Sequence, residues 1–202
     1  MQRIDNRVLF ATTNKNKVNE INQMLKGSNI EVVSMEEAKI DIDVVEDGDT
    51  FEENAIKKAT EIMKVANMTV IADDSGLEID YLGKEPGIYS ARYLGRETPY
   101  PQKNEIILDK LKGVPEEKRK ARFVCSVAVA FTDGTTKVVK ETIEGIIGYE
   151  QKGENGFGYD PIFFVPEYNM TTAQMKPEQK NKISHRGKAI KKIIQVLEGG
   201  KR

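Results

Sequence analysis

Residues 123–131 form an apolar run that would bury side chains on both faces of a β-strand. Strand side chains alternate between two faces, so such a run is typical of a strand inside a sheet that is covered on both sides. The next residues, Thr132-Asp133-Gly134-Thr135, are typical of a hairpin turn. We therefore expect a central strand with an antiparallel partner at residues 136–149.

Strands and helices alternate in the first half of the chain. The expected strands are residues 8–12, 30–34, 69–73, 77–82, 122–131, 136–149 and 161–165. The expected helices begin after Asn14, after Thr50, near Pro99 and after Ser184, where apolar residues recur at helical spacing. This mixture predicts an α/β protein with a mixed sheet covered by helices, in one domain over residues 1–202.

The composition limits the metal and the partners. One His and one Cys exclude a multi-histidine or closed zinc site and an intrachain disulfide. A metal would be held by oxygen, which favours Mg²⁺, with Mn²⁺ as the alternative. The net charge of -1 gives no general attraction to nucleic acid or to an anionic membrane. No signal-peptide core or membrane-spanning run is present, so we expect a cytoplasmic protein.

The segment between the first strand and the first helix is a candidate phosphate site. A helix N-terminus offers free N–H groups and a positive dipole, and two lysines add charge. An asparagine-capped helix with solvated lysines explains the same residues, and position alone favours it. The residues concerned are Thr12, Thr13, Asn14, Lys15, Asn16 and Lys17.

Acidic residues mark the start of the second helix and the end of the third strand. Glu53 lies three residues after Thr50, which predicts a capping box at a helix start, with metal binding as the competing role. Asp73 and Asp74 end an apolar strand. Adjacent strand residues point to opposite faces, so we expect a turn to begin there and bring both carboxylates into one site. Unpaired buried carboxylates are costly, so a cation or a shared proton is expected.

A glycine-rich loop covers residues 153–161. Its glycines allow a flat ligand to approach the backbone, and Phe157 and Tyr159 are candidates for stacking on a base. His185 and Arg186 offer hydrogen-bond donors near a helix start. Taken alone the loop matches no phosphate-binding fingerprint, and a lone histidine is more often structural.

The order of these segments resembles one family, the non-canonical purine nucleoside triphosphate pyrophosphatases (inosine/xanthosine triphosphatases, Ham1-like). Thr13 is a small departure, because many members carry glycine there. The six matching motifs are Ala11-Thr12-Thr13-Asn14-x-x-Lys17, Thr50-Phe51-x-Glu53-Asn54-Ala55, Ala72-Asp73-Asp74-Ser75-Gly76-Leu77, Pro86-Gly87-Ile88-Tyr89-Ser90-Ala91-Arg92-Tyr93, Phe157-Gly158-Tyr159-Asp160-Pro161 and Ser184-His185-Arg186.

The resemblance implies an elongated mixed sheet, two lobes with a central cleft, a homodimer, and Mg²⁺-dependent release of pyrophosphate from ITP, dITP or XTP. It implies that residues 12–17, Lys58 and Ser75 bind phosphates, and that Glu53 and Asp74 hold the metal. Asp74 would also act on the attacking water, with Asp73 as an accessory carboxylate. The residues implied to bind the nucleotide and its base are Phe157, Gly158, Tyr159, Asp160, Lys180, His185 and Arg186.

Base choice has a simple physical basis. Inosine and xanthosine carry a carbonyl at position 6, where adenine carries an amino group, so donors on Arg186 and His185 would pair with the carbonyl and reject adenine. Two alternatives stay open: a Maf-like nucleotide pyrophosphatase, whose motifs differ, and a non-catalytic nucleotide-binding protein. The acidic pair and Glu53 favour an enzyme over the second alternative.

Overall fold

The computed structural model describes residues 6–199. The strands there are β1 (Arg7–Phe10), β2 (Glu31–Ser34), β3 (Val70–Ile79), β4 (Lys120–Ala130), β5 (Thr136–Ile147), β6 (Phe163–Val165) and β7 (Met170–Thr171). The α-helices are α1 (Lys15–Met24), α2 (Phe51–Ala66), α3 (Tyr100–Lys110), α4 (Pro177–Ile183) and α5 (His185–Leu197). Within this part of the chain, no helix is long and apolar enough to cross a membrane.

The strands form a seven-stranded sheet in the order β2-β1-β3-β4-β5-β6-β7. β1 pairs in parallel with β2 and β3, whereas β6 pairs antiparallel with β5 and β7. The sheet is therefore mixed and the protein α/β, as predicted. β4 is the fourth of seven strands and is buried from Phe123 to Ala130, which confirms that its two-sided apolar pattern marks a central strand.

The chain divides into two compact units. The first unit holds the chain up to Asp74, Cys125–Glu141 and the chain from Arg186. Alternate residues of its strands pack against different helices: Val8 and Phe10 share a cluster with α1 and α5, and Leu9 and Ala11 share one with α2. Helices therefore cover both faces of this part of the sheet.

The second unit consists of Ser75–Val124 and Thr142–His185. Its core contains Leu77 of β3, Ile107 of α3 and Phe163 of β6, all fully buried. Each such side chain contributes about 1.5–3 kcal/mol by leaving water. This core supports the start of α3 and the glycine-rich loop that follows β5.

The turn prediction near Asp73 was wrong, and two short elements were missed. The turn expected after Asp73 does not form, because β3 continues without a break from Val70 to Ile79. The short elements α4 and β7 were not predicted, since α4 spans 7 residues without a side-chain N-cap and β7 spans 2. Elements of this length carry too few residues to show a period.

Candidate active site

Asp73 and Asp74 point to opposite faces of the sheet because β3 does not turn between them. Asp73 Oδ2 accepts hydrogen bonds from Lys17 Nζ of α1, at 2.8 Å, and from Arg186 Nε of α5, at 3.4 Å. Asp74 Oδ2 accepts one from Asn54 Nδ2 of α2, at 3.0 Å. The prediction that a turn brings both carboxylates together was wrong. Their hydrogen-bond donors come from different helices, although the charges of Lys17 and Lys58 act on both aspartates.

Asp73 is the centre of a buried charge network. Burial raises its pKa, but the positive charges of Lys17, Arg186 and Lys58 outweigh burial and hold the pKa well below the usual range. Arg186 is 3% exposed and also pairs with Glu20, one helical turn after Lys17. Asp73 therefore stays ionised and fixes the side chains of α1 and α5 against β3.

The carboxyl of Asp74 lies near a second carboxylate. Burial raises the pKa of Asp74 to about 6, the negative charge of Glu46 adds to the rise, and the hydrogen bond from Asn54 opposes it. A carboxylate pair in a buried setting favours a bound cation or a shared proton. Glu46 was missed by the sequence analysis, because it stands in the acidic segment 41–49 and no local motif distinguishes it there.

Lys58 of α2 pairs with Glu46. Burial lowers the pKa of Lys58, but the charges of Asp73 and Glu46 raise it further than burial lowers it. The ammonium group is thus held charged close to both acidic groups. This placement suits the predicted role of Lys58 toward phosphate.

Glu53 caps the helix that it begins. Its backbone N–H donates to Thr50 Oγ1 at 3.1 Å, and its Oε2 accepts from the N–H of Asp49 at 2.8 Å. This is the capping arrangement expected from the sequence, except that the carboxylate reaches one residue further back. Metal binding by Glu53 stays a prediction.

The first loop is an asparagine-capped helix start. Asn14 Oδ1 accepts from the N–H groups of Asn16, at 3.0 Å, and Lys17, at 3.4 Å, so these amides are not free as expected. Thr12, Thr13 and Lys15 line a cavity of about 680 Å³ within the first unit. Binding of phosphate by residues 12–17 stays a prediction.

Asp160 organises the glycine-rich loop of the second unit. Its Oδ2 accepts from Lys180 Nζ at 2.7 Å and from the N–H of Phe157 at 2.8 Å, and its Oδ1 accepts from Thr172 Oγ1 at 2.7 Å. Lys180 Nζ lies 5.0 Å from the centroid of the Phe157 ring. A Cβ on Gly156 would lie 2.2 Å from Asp160 Oδ2, so this position requires glycine.

Tyr159 is a core residue of the second unit rather than a free ring. It is 4% exposed, its OH donates to the carbonyl of Ser90 at 2.8 Å, and its ring packs edge-on against Tyr100 at 5.2 Å. Tyr159 therefore supports the loop, and stacking on a base stays a prediction for Phe157. The ring of His185 stacks on Phe123 at 4.9 Å, so its predicted contact with a base awaits a test, as does that of Arg186.

The carboxylates near Asp74 suit a Mg²⁺ site with few protein ligands better than a site in which the protein supplies every ligand. Among residues 6–199, no group of three or more His, Cys, Asp or Glu side chains is arranged to hold a metal. Mg²⁺ commonly binds through one or two carboxylates together with water and substrate phosphates. Asp74 and Glu46, whose carboxylates influence each other, are the candidates for such a pair.

Comparisons with known proteins agree over nearly the whole chain. A model of the Ham1 family matches residues 8–196. The chain is 50% identical over 200 residues to a Clostridium perfringens protein named dITP/XTP pyrophosphatase, covering 96% of this chain and 98% of that protein. A Bacillus subtilis protein of the same name is 46% identical, covering 94% and 96%. The solved structure of the Staphylococcus aureus Ham1 protein has a TM-score of 0.86 at 45% identity, covering 96% and 100%. The chain belongs to the Ham1 family.

Proposed function

We propose that this protein hydrolyses non-canonical purine nucleoside triphosphates such as dITP, ITP and XTP to the monophosphate and pyrophosphate. The names of its relatives support this activity. The observation that carries it is the buried carboxyl of Asp74, which lies near Glu46 and Lys58 and whose pKa of about 6 reflects burial and the Glu46 charge. A homodimer, a cleft between two lobes and a cytoplasmic location stay predictions from the family resemblance.

Asp74 and Glu46 are the residues we propose to hold Mg²⁺. When bound there, the ion would neutralise phosphate charge and polarise the phosphorus–oxygen bonds. We propose Glu46 ahead of Glu53, the ligand that the resemblance implies, because the charge of Glu46 acts on Asp74, whereas Glu53 accepts a hydrogen bond from Asp49 at the helix start.

Asp74 is also the proposed proton acceptor. It would take a proton from a water molecule that attacks the α-phosphorus, while the bond from that phosphorus to the bridging oxygen breaks and pyrophosphate leaves. A positioned carboxylate can accept a proton in this way. Lys58 and Lys17 would stabilise the growing negative charge. Asp73 would act by holding Lys17 in place rather than on the water.

A single assay tests the activity. Pyrophosphate release should be fast with dITP, ITP and XTP and at least about 100-fold slower with ATP, because a site that hydrogen-bonds the 6-carbonyl leaves donors unpaired against adenine. Release should stop when EDTA removes Mg²⁺. Equal rates with all purine triphosphates, or release of orthophosphate instead of pyrophosphate, would contradict the proposal.

Paired glutamine variants test the metal ligands. Glu46→Gln should raise the Mg²⁺ concentration needed for half-maximal rate by about tenfold or more, since it removes a ligand charge. Glu53→Gln should leave that concentration within about twofold and lower stability by less than about 1 kcal/mol, since the amide oxygen can still accept at the helix start. Measuring the rate against Mg²⁺ concentration for both variants identifies the ligand. A larger increase in the half-maximal Mg²⁺ concentration for Glu53→Gln would assign the metal to Glu53.

A further inference from the structure

Two consecutive polar residues are buried at the start of α3. Lys103 and Asn104 are each 1% exposed, although both residue types usually stay at the surface. Lys103 Nζ donates to the carbonyl of Ala91 at 3.0 Å. Asn104 Nδ2 donates to the carbonyl of Gly158 at 3.2 Å and to Gln151 Oε1 at 3.1 Å. This helix turn therefore holds backbone of the glycine-rich loop.

Asn104 is not optimal for stability. Its Oδ1 is buried and has no hydrogen-bond partner among residues 6–199. Leaving such an acceptor unsatisfied costs about 1–3 kcal/mol. An apolar side chain of similar size would avoid that cost. We therefore attribute the role of the asparagine to the acceptors of its amide N–H groups.

The acceptor in the glycine-rich loop is the carbonyl of the peptide between Gly158 and Tyr159. Gly158 has a φ of +68°, which favours glycine, and a Cβ added there would lie 3.6 Å from the ring of Tyr100. Phe157, the residue before it, is fixed through its own N–H by Asp160. Because Asn104 donates to the Gly158 carbonyl, the backbone is held on both sides of the Phe157–Gly158 peptide, which fixes the position from which the Phe157 ring projects.

We propose that Asn104 is a positioning residue for the purine base and acts through the carbonyl of Gly158. The inference rests on the proposed function, in which Phe157 stacks on the base. Asn104 itself does not touch the substrate. The phosphate side is assigned to Lys17, Lys58 and Asp74, so losing Asn104 should weaken binding of the base and leave binding of phosphate unchanged.

The test is Asn104→Leu, which removes both donors and the unsatisfied acceptor at similar volume. We expect the KM for dITP to rise about tenfold and kcat to stay within about threefold, as for a loss of uniform binding. The inhibition constant of inorganic tripolyphosphate should change by less than about twofold. The melting temperature should change little, because relief of the unsatisfied oxygen offsets the two hydrogen bonds that the part-buried acceptors lose. A tenfold rise in KM without a loss of stability separates positioning from a merely structural role.

The matched control is Gln102→Leu, also an amide-to-leucine change but at an exposed position of the same helix, which should alter neither constant. Gln151→Ala should also leave KM within about twofold if the Gly158 carbonyl is the partner that matters. If Asn104→Leu does not fold, Asn104→Asp, which sets a carboxylate against two acceptor oxygens, carries the same comparison. Failure of both variants to fold would assign Asn104 to structure and overturn the inference.

The remaining outcomes are distinct. An active wild type with an unchanged KM in a folded Asn104 variant overturns this inference alone. Equal rises in KM and in the tripolyphosphate constant also overturn it, because the damage is then general. A wild type that neither binds dITP in calorimetry nor hydrolyses it overturns the proposed function and this inference together.

Discussion

Replacing Asp74 with asparagine is expected to lower kcat for dITP by about 100-fold or more. The amide keeps the shape of the side chain and can still accept from Asn54, which donates to Asp74 Oδ2 at 3.0 Å. It cannot take a proton from water, and it no longer supplies a charge for Mg²⁺. Pyrophosphate release at saturating dITP and Mg²⁺ measures the loss.

The same substitution should stabilise the metal-free protein above pH 6. The pKa of Asp74 is raised to about 6 by burial and by Glu46, above about 3.9 in an unfolded chain. The protonated carboxyl of Asp74 therefore makes its full contribution to the free energy of unfolding below about pH 4, and this contribution is lost as the pH rises through 6. Asp74→Asn escapes this loss, so in EDTA its free energy of unfolding should exceed that of the wild type by up to about 3 kcal/mol at pH 8.

Asp109→Asn is the matched control, because Asp109 is an exposed aspartate on α3. It should change neither turnover nor the pH dependence of stability. Near-normal turnover in Asp74→Asn would contradict the assignment of Asp74 as proton acceptor. A lower stability than the wild type at pH 8 without metal would contradict the buried, Glu46-facing setting of the carboxyl.

The parts of the fold that depend on local chemistry could be predicted from the sequence. The start of α2 follows from the hydroxyl of Thr50, which caps the N–H of Glu53, and β4 follows from its apolar pattern on two faces. Phe157 and Asp160 could be placed in one loop because they are three residues apart. Signals of this kind involve neighbours in the chain, so they are readable without the tertiary structure.

The site residues that were missed depend on partners from distant elements. Glu46 acts on Asp74 and Glu20 on Arg186, and each pair is brought together only by the folded chain. The two aspartates were misplaced because a turn was the simplest way to join adjacent carboxylates. The hydrogen-bond donors to the two aspartates lie on opposite sides of the sheet instead. Each carboxylate therefore meets its donors on the face to which the strand directs it.

Replacing Asp73 with asparagine is expected to reduce the free energy of unfolding by about 3–5 kcal/mol at pH 7. Arg186 is 3% exposed and would keep only part of its carboxylate pairing, through Glu20. The cost of leaving Lys17 unpaired is smaller, because its side chain is 17% exposed and reaches water more readily. Removing one member of a buried charge network is costly mainly because the opposite charge stays behind. Urea denaturation in EDTA measures the change.

The pH dependence of this loss runs opposite to that of Asp74. The pKa of Asp73 is held below its unfolded value by Lys17, Arg186 and Lys58, whose charges outweigh burial. Its contribution is therefore present above about pH 4 and declines as the pH falls toward the folded value. The gap between wild type and Asp73→Asn should be constant from pH 6 to 8 and narrow in acid, whereas exposed Asp109→Asn should stay within about 0.5 kcal/mol throughout. A gap below about 1 kcal/mol at pH 7 would mean that Asp73 does not hold the network together, and Lys17 would then need another anchor.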